Sequence, residues 1–232
     1  MGKDQTVLFH STIFGPIHSR RLGVSLGINL LPNDGKICSF DCIYCEAGYN
    51  RQGHGKAGLP SREKVADDLR TKLQEMNQAG ERPDVITFSG NGEPTLHPDF
   101  AGIVDDVIAL RDEYCPQAKV SVLSNSTMTG KADVVSALRK VDNNILKLDS
   151  AVEQTMRLID VPQQPDFTVE KVVEQLSVFA DQCIVQTMIL RGEHDGQPVD
   201  NSTPEEIDAL IAAYQRIKPR EVMLYSIDRS TP

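Results

Sequence analysis

Apolar and polar positions alternate in type along this chain, short β-branched runs giving way to longer stretches of helical period and back again. Val24–Leu30, Val85–Ser89, Lys119–Ser124, Ile145–Asp149, Ile184–Leu190 and Val222–Ile227 read as six strands. Between them, Val65, Leu69, Leu73 and Met76 recur at helical spacing, with Pro60-Ser61 as the cap and Gly80 followed by Pro83 as the stop. Phe100, Ile103, Val104, Val107 and Ile108 mark a second helix; Val134, Val135 and Leu138 a third; Val169, Val172, Val173 and Leu176 a fourth. The fifth opens on Thr203-Pro204-Glu205-Glu206, a capping box with proline at the first helical position, and Ile207, Leu210, Ile211 and Tyr214 form its apolar face. Regular strand–helix alternation implies right-handed βαβ units and a parallel sheet. Six units are too few for a closed eight-stranded barrel. The expectation is therefore an α/β fold: a six-stranded parallel partial (βα)6 barrel in a single domain over residues 1–232, with 1–23 preceding the first core strand. The helix expected after the sixth strand is missing, so either the natural protein is short or the sequence is a shortened one.

In parallel α/β folds ligands bind where strands end. Here every strand runs into polar or ligating residues: Cys38–Cys45; Ser89-Gly90-Asn91-Gly92-Glu93-Pro94-Thr95; Asn125-Ser126; Asp149-Ser150; Arg191-Gly192-Glu193; and Asp228-Arg229. One rim is expected to collect them all. The first loop places Cys38, Cys42 and Cys45 as CxxxCxxC. Structural zinc takes four protein ligands and a cubane iron–sulfur cluster usually four thiolates. Three leave one iron open to a substrate or cofactor. The alternative is a zinc knuckle with His54 as the fourth ligand. In the second loop, Gly90 and Gly92 let backbone approach a ligand closely, Pro94 stiffens the exit, and Glu93 with bare carbonyls makes a receptor for an ammonium group; a plain Gly/Pro turn is the alternative.

The cysteine loop, with Tyr44 at the aromatic place of CxxxCxΦC, resembles the signature of radical S-adenosylmethionine (SAM) enzymes, and Asn91-Gly92-Glu93-Pro94 is similar to that superfamily's GGEP motif, with Asn for the first Gly. The resemblance implies the same partial-barrel fold and one [4Fe-4S] cluster on Cys38, Cys42 and Cys45. It also implies that SAM chelates the open iron, with its amino group received at Gly90–Pro94. Reductive cleavage to methionine and a 5′-deoxyadenosyl radical would then begin the reaction, with a low-potential flavodoxin or ferredoxin supplying the electron. Tyr44 could pack on the adenine or fill space beside the cluster. Asn125 and Ser126 could bond the ribose or the SAM carboxylate, or cap a turn. Asp149 could orient ribose or substrate, or cap a helix; Arg191 could pair with a carboxylate, or face solvent. His97 reads as leading into a helix, Met188 as core, and Cys115 and Cys183 as inert thiols.

Phe14–Leu30, Lys147-Leu148-Asp149 and Tyr225–Arg229 extend the resemblance to radical SAM proteins related to the wyosine-base (4-demethylwyosine) synthases of tRNA. Those carry a second cluster on three further N-terminal cysteines, whereas no cysteine precedes Cys38 here. One cluster and no auxiliary site is the expectation. Lys147 invites a Schiff-base role with a keto acid, or an ion-pair role. Arg20 and Arg21 could hold a phosphate or carboxylate. A glycyl-radical enzyme activase is a further alternative, and a non-catalytic Fe–S or zinc-binding module the non-enzymatic one.

Composition narrows this picture modestly. Of 232 residues, 40% are hydrophobic and 25% charged, enough for a core in a soluble chain. No stretch approaches the roughly 20 apolar residues that span a bilayer, and Met1–Gln5 lacks a signal's apolar region. Three clustered and two isolated cysteines do not suggest a disulfide framework, so a cytoplasmic, reducing setting is expected. The net charge of −9 divides as +3 over residues 1–64 and −12 over the remainder. An anionic ligand is drawn to the cysteine end, while the acidic body disfavours RNA wrapping.

Overall fold

In the computed structural model, which describes residues 6–19 and 23–227, the β-branched runs form the strands their pattern predicts and two further pairings add to them. The strands are β1 (Ile13–Ser19), β2 (Gly23–Ile28), β3 (Val85–Phe88), β4 (Lys119–Ser124), β5 (Asn143–Lys147), β6 (Ile184–Met188), β7 (Arg191–His194), β8 (Gln197–Asp200) and β9 (Glu221–Tyr225). The helices are α1 (Arg62–Gln78), α2 (Phe100–Tyr114), α3 (Ala132–Leu138), α4 (Glu153–Asp160), α5 (Val169–Ser177) and α6 (Pro204–Ile217). Seven strands make one open sheet in the order β1-β2-β3-β4-β5-β6-β9. From β2 to β9 all neighbours are parallel, as six βα units require. In-register rows such as Phe88 beside Val122 beside Asn144 tie β3, β4 and β5.

β1 is an antiparallel addition outside the expected six. Gly15 and Pro16 hide it from period-2 reading, and its register shifts between Phe14 and Ile17. A proline without an N–H suits an edge strand, and β1 lies at one edge of the sheet. The second addition is the hairpin β7–β8, in which Arg191 pairs with Asp200. Its turn is Asp195-Gly196, both at positive φ (49° and 76°), a strong hairpin signal. Arg191-Gly192-Glu193 is thus strand, not a bare loop. Helix α4 also escaped the sequence pattern, because its eight residues carry only Met156, Ile159 and Asp160 as buried positions.

Helix ends follow their capping residues. The Ser61 hydroxyl accepts from Lys64 N (3.2 Å), Thr168 from Lys171 N (3.3 Å) and Thr203 from Glu206 N (3.3 Å). Glu206 does not complete the expected box: its carboxylate accepts from Ser150 Oγ (2.6 Å) and fastens α6 to the loop after β5. The outer sheet face packs Phe88, Val120, Val122, Leu146 and Val185 against Leu69, Leu73, Val104, Val107, Val173 and Leu176 of the helices, all fully buried or nearly so. Each such side chain contributes on the order of 1.5–3 kcal/mol. The inner face is more polar, with Ser25 bonded to Thr87 (3.0 Å) and Asn143 to Ser121 (2.9 Å). Among the described residues no helix is long and apolar enough to cross a membrane.

Candidate metal and cofactor site

The segment after β2 turns on Asn29, whose buried amide donates to Leu31 O (3.0 Å) and accepts from Asn91 N (3.1 Å). The chain then runs into the cysteine loop, which is held between two others. On one side Ile37 N donates to Asn91 O and Glu93 N to Ile37 O, each at 3.1 Å. On the other, Asp41 N donates to Asp160 O (3.1 Å), Ile43 N to Ile159 O (2.9 Å) and Gln163 N to Ser39 O (2.9 Å). Within the loop, Asn50 Nδ2 donates to the carbonyls of Cys38 (3.0 Å) and Phe40 (3.2 Å), and its Oδ1 accepts from Cys38 N (3.1 Å). Lys36 is buried, and its ammonium donates to Gly48 O (2.6 Å) with Asp41 Oδ1 at 3.4 Å.

Cys38 Sγ accepts from Phe40 N and Asn125 Nδ2, both at 3.5 Å. Such donors to sulfur are a means of tuning an iron–sulfur cluster. As free thiols these cysteines resist ionisation. Burial, reinforced by Glu93, pushes Cys38 up to about 12, against the pull of Lys36. Burial likewise raises Cys42 well above the thiol range, against Lys147. A bound metal removes the proton outright. Around Lys36, burial opposes the charge, but Cys45, Cys38 and Cys42, ahead of Asp41, raise its pKa above the ordinary value. This donor set fits a thiolate-held cluster: three cysteines on one braced loop, amide donors to sulfur and a buried cation. His54, the candidate fourth zinc ligand, lies with Nδ1 3.1 Å from Lys36 O. Among the described residues no three His, Cys, Asp or Glu side chains form a group that would hold a metal ion, so the fit to a cluster rests on the chemistry of the three thiols and not on a preformed ion site.

The Gly90–Pro94 loop shows why its glycines are required. Gly92 sits at φ +135°, where a Cβ would lie 1.9 Å from Ile37 O; at Gly90, φ +144°, it would meet Asn29 Oδ1 at 2.4 Å. The cysteine loop can dock only on bare backbone. Asn91 is fully buried and its side chain is spent on protein: Oδ1 accepts from Phe9 N (2.8 Å), while Nδ2 donates to Phe9 O (2.9 Å) and Pro32 O (2.8 Å). Glu93 is buried too. It accepts from Thr95 N (3.1 Å), Thr95 Oγ1 (2.5 Å), Ser124 Oγ (2.9 Å) and Asn125 N (2.6 Å). Burial still raises its pKa against all these donors. Pro94 opens the short 3₁₀ turn Pro94–Leu96. Asn125 Nδ2 donates to Ser39 Oγ (2.8 Å) and its Oδ1 accepts from Thr127 N (3.1 Å) and Thr127 Oγ1 (2.8 Å). Ser126, buried at φ +71°, donates from Oγ to Lys147 O (3.3 Å). The loops after β2, β3 and β4 are thereby one hydrogen-bonded body.

Beneath the cysteine loop lies a buried charged cluster. Lys147 pairs with Asp149 and with Asp160 (2.8 Å) and contacts Tyr44 OH; Tyr44 OH donates to Asp149 Oδ2 (2.5 Å) and lies 3.4 Å from Tyr225 OH. Burial opposes the charge of Lys147, but Asp149 and Asp160 hold its pKa well above the lysine range. Burial pushes Asp160 up, against Lys147. Asp149 also accepts from Met188 N (2.8 Å), and Asn201 Nδ2 donates to Asp149 O (2.8 Å) and Met188 O (2.7 Å). Sequence reading missed Lys36, Asn50, Asp160 and Asn201. Asp160 and Asn201 lie on an unread helix and just past an unread strand; Lys36, two residues before Cys38, and Asn50, five residues after Cys45, stood beside the cysteine motif.

Arg191 stands 83% exposed at the start of β7, 3.5 Å from Asp200. It lines a cavity of about 320 Å³ together with Ile43, Tyr44, Leu190, His194 and Ile227. His97 is buried, its ring meeting Pro60 O (2.8 Å) and accepting from Asp99 N (3.1 Å), which leads the chain into α2. Met188, Cys115 and Cys183 are buried. Arg20, Arg21, Asp228 and Arg229 lie outside the described residues.

A UPF0026 protein of Methanocaldococcus jannaschii is 34% identical over 182 residues, 76% of this chain and 53% of that protein. The chain spans 32% to 66% of the lengths of the first curated relatives it matches. Two solved structures share the fold at low identity. TYW1 with a lysine–pyruvate adduct superposes with a TM-score of 0.59 at 17% identity, covering 88% of this chain and 65% of that one. SuiB of Streptococcus suis bound to S-adenosylmethionine gives 0.61 at 15%, covering 88% and 41%. The family model described as the Radical SAM superfamily matches residues 33–201, from the turn before the cysteine loop to the end of the β7–β8 hairpin, and the chain belongs to that superfamily.

Proposed function

We propose that this protein is a radical SAM enzyme in which Cys38, Cys42 and Cys45 hold one [4Fe-4S] cluster and SAM completes it. The docking of the cysteine loop on Gly92 through Ile37 carries the reading, since it sets the three thiols against the loop expected to receive the SAM amino group. When bound, the cluster supplies the electron that divides SAM into methionine and a 5′-deoxyadenosyl radical, drawn from a flavodoxin- or ferredoxin-type donor.

The chain's own residues prepare the place. Backbone carbonyls of Gly90–Pro94 receive the ammonium of SAM, and Glu93 holds that loop rather than the ligand. Ile43, Leu190 and Ile227 offer apolar walls to the nucleoside, with Tyr44 between two cluster cysteines at the edge of the same cavity. Asn125 and Ser126 present the rim nearest Cys38, Asp149 fixes Tyr44, and Arg191 meets an anionic part of SAM or substrate at the mouth.

A wyosine-type reaction is the second reading, supported by the fold shared with TYW1. Lys147 does not favour it as a Schiff-base lysine, because Asp149 and Asp160 keep the amine charged, and only a neutral amine attacks a keto acid. Anaerobic reconstitution with iron and sulfide should give a brown protein with four irons, and added SAM with dithionite should yield 5′-deoxyadenosine. Cys42→Ala should lose both. Bound zinc without iron, or an intact cluster in Cys42→Ala, would sink the assignment.

A further inference from the structure

Lys36 is buried to 2% at the neck of the cysteine loop. Its own N–H donates to Gly53 O (3.2 Å), its carbonyl meets the His54 ring, and its ammonium reaches across to Gly48 O. Residues 36–48 are thus closed by the lysine side chain, and all three cysteines lie inside that closure. Buried ammonium groups are rare unless paired, and among the described residues this one has a single carboxylate partner, at the long end of ion-pair range. Asp41 is 3.4 Å away, and its Oδ1 already accepts from Asn50 N (2.7 Å) and Asn50 Nδ2 (2.9 Å), while Oδ2 accepts from Gln163 (3.2 Å). An ammonium has three N–H donors, and Gly48 and Asp41 engage two. The loop it closes also carries Asp41, Tyr44 and Glu46; Asp41 is engaged by Asn50 and Gln163 and Tyr44 by Asp149, and the three cysteines are the thiols the charge encloses.

We propose that Lys36 is the built-in countercharge of the cysteine loop, offsetting the thiolates of Cys38, Cys42 and Cys45 when they hold a cluster and raising that cluster's reduction potential. The inference rests on the cluster reading above and adds a residue to it. Each electron entering the cluster adds negative charge, so a fixed cation nearby favours the reduced state. A low local dielectric magnifies that effect, and a surface lysine would supply little of it.

The test compares the whole chain with Lys36→Met, which matches the side chain's length without its charge, and Lys36→Gln, which keeps a donor for Gly48 O. Reconstituted wild type is titrated first; if it takes up no iron, the cluster reading itself fails, before any variant is compared. In loaded variants the midpoint potential, followed by visible absorption and electron paramagnetic resonance, should move to more negative values. Cluster retention through gel filtration should fall. Metal-free protein should unfold at the same temperature as wild type or higher, since an unneeded buried charge has been removed. Folded variants that cannot retain a cluster support the proposal. An unchanged midpoint in loaded variants overturns it. So does collapse of the metal-free fold in both, which would make Lys36 a scaffold tie.

Discussion

At the scale of single residues, the motif side chains hold the rim loops together. Glu93 shows this most sharply. Four donors converge on its carboxylate from the turn after β3 and the end of β4, so it stitches two rim loops together. A glutamine has the same shape, yet one of its ends must be NH2. With its oxygen serving Thr95 and Ser124, the NH2 faces Asn125 N–H, donor against donor. Glu93→Gln should therefore cost about 1–3 kcal/mol, read as a lower unfolding temperature and weaker cluster uptake. A variant as stable as wild type would show that the carboxylate is not bound as described. Asn144 is the opposite case. It is fully buried on β5, and neither side-chain atom has a partner among the described residues. Asn144→Val should stabilise by about 1–2 kcal/mol, because it removes an unmet desolvation cost and suits a strand.

At the scale of elements, α1 and α2 are clasped by Arg62, whose Nε and Nη2 donate to the two carboxylate oxygens of Asp106 at 2.6 and 2.7 Å. Their apolar faces bury most of the contact, so the clasp adds a modest term at a solvated position. Arg62→Ala should lower stability only slightly at neutral pH, because the pair is solvated. The pH dependence has a definite sign. The hydrogen bond from Arg62 lowers Asp106 below its ordinary 3.8, so the stabilisation is complete above that value and fades as pH falls through the folded pKa. Urea unfolding at pH 7 and near pH 3 should show the gap between wild type and variant closing in acid. A gap of equal size at both would assign the loss to packing of the arginine stem. The missed elements belong to this scale too: β1 carries Gly15-Pro16, α4 is eight residues long, and β7–β8 was masked by the expectation of a bare strand end, although Asp195-Gly196 marks its turn.

At the scale of the whole molecule, residues 36–54 contain no regular element beyond the three-residue turn Asn50–Gln52. They depend on docking to Gly92 and to residues 159–163, and on what the cysteines bind. Loading the cluster should raise the unfolding temperature, and stripping it with a chelator under reducing conditions should lower it and open this segment to protease. Equal cleavage with and without metal would mean that the loop is rigid unaided. The sequence by itself determined the strand–helix alternation, the six parallel strands and the spacing of the three cysteines, because period, capping and thiolate number are local properties. It also marked Gly90 and Gly92, since only glycine accepts that backbone. What Asn91, Glu93 and Asn125 bond to, and the meeting of Tyr44 with Asp149 and of Lys147 with Asp160, only the tertiary structure decided. Those partners are brought together by parallel strands ending on one rim, and a buried polar group is understood only when its far-off partner is known.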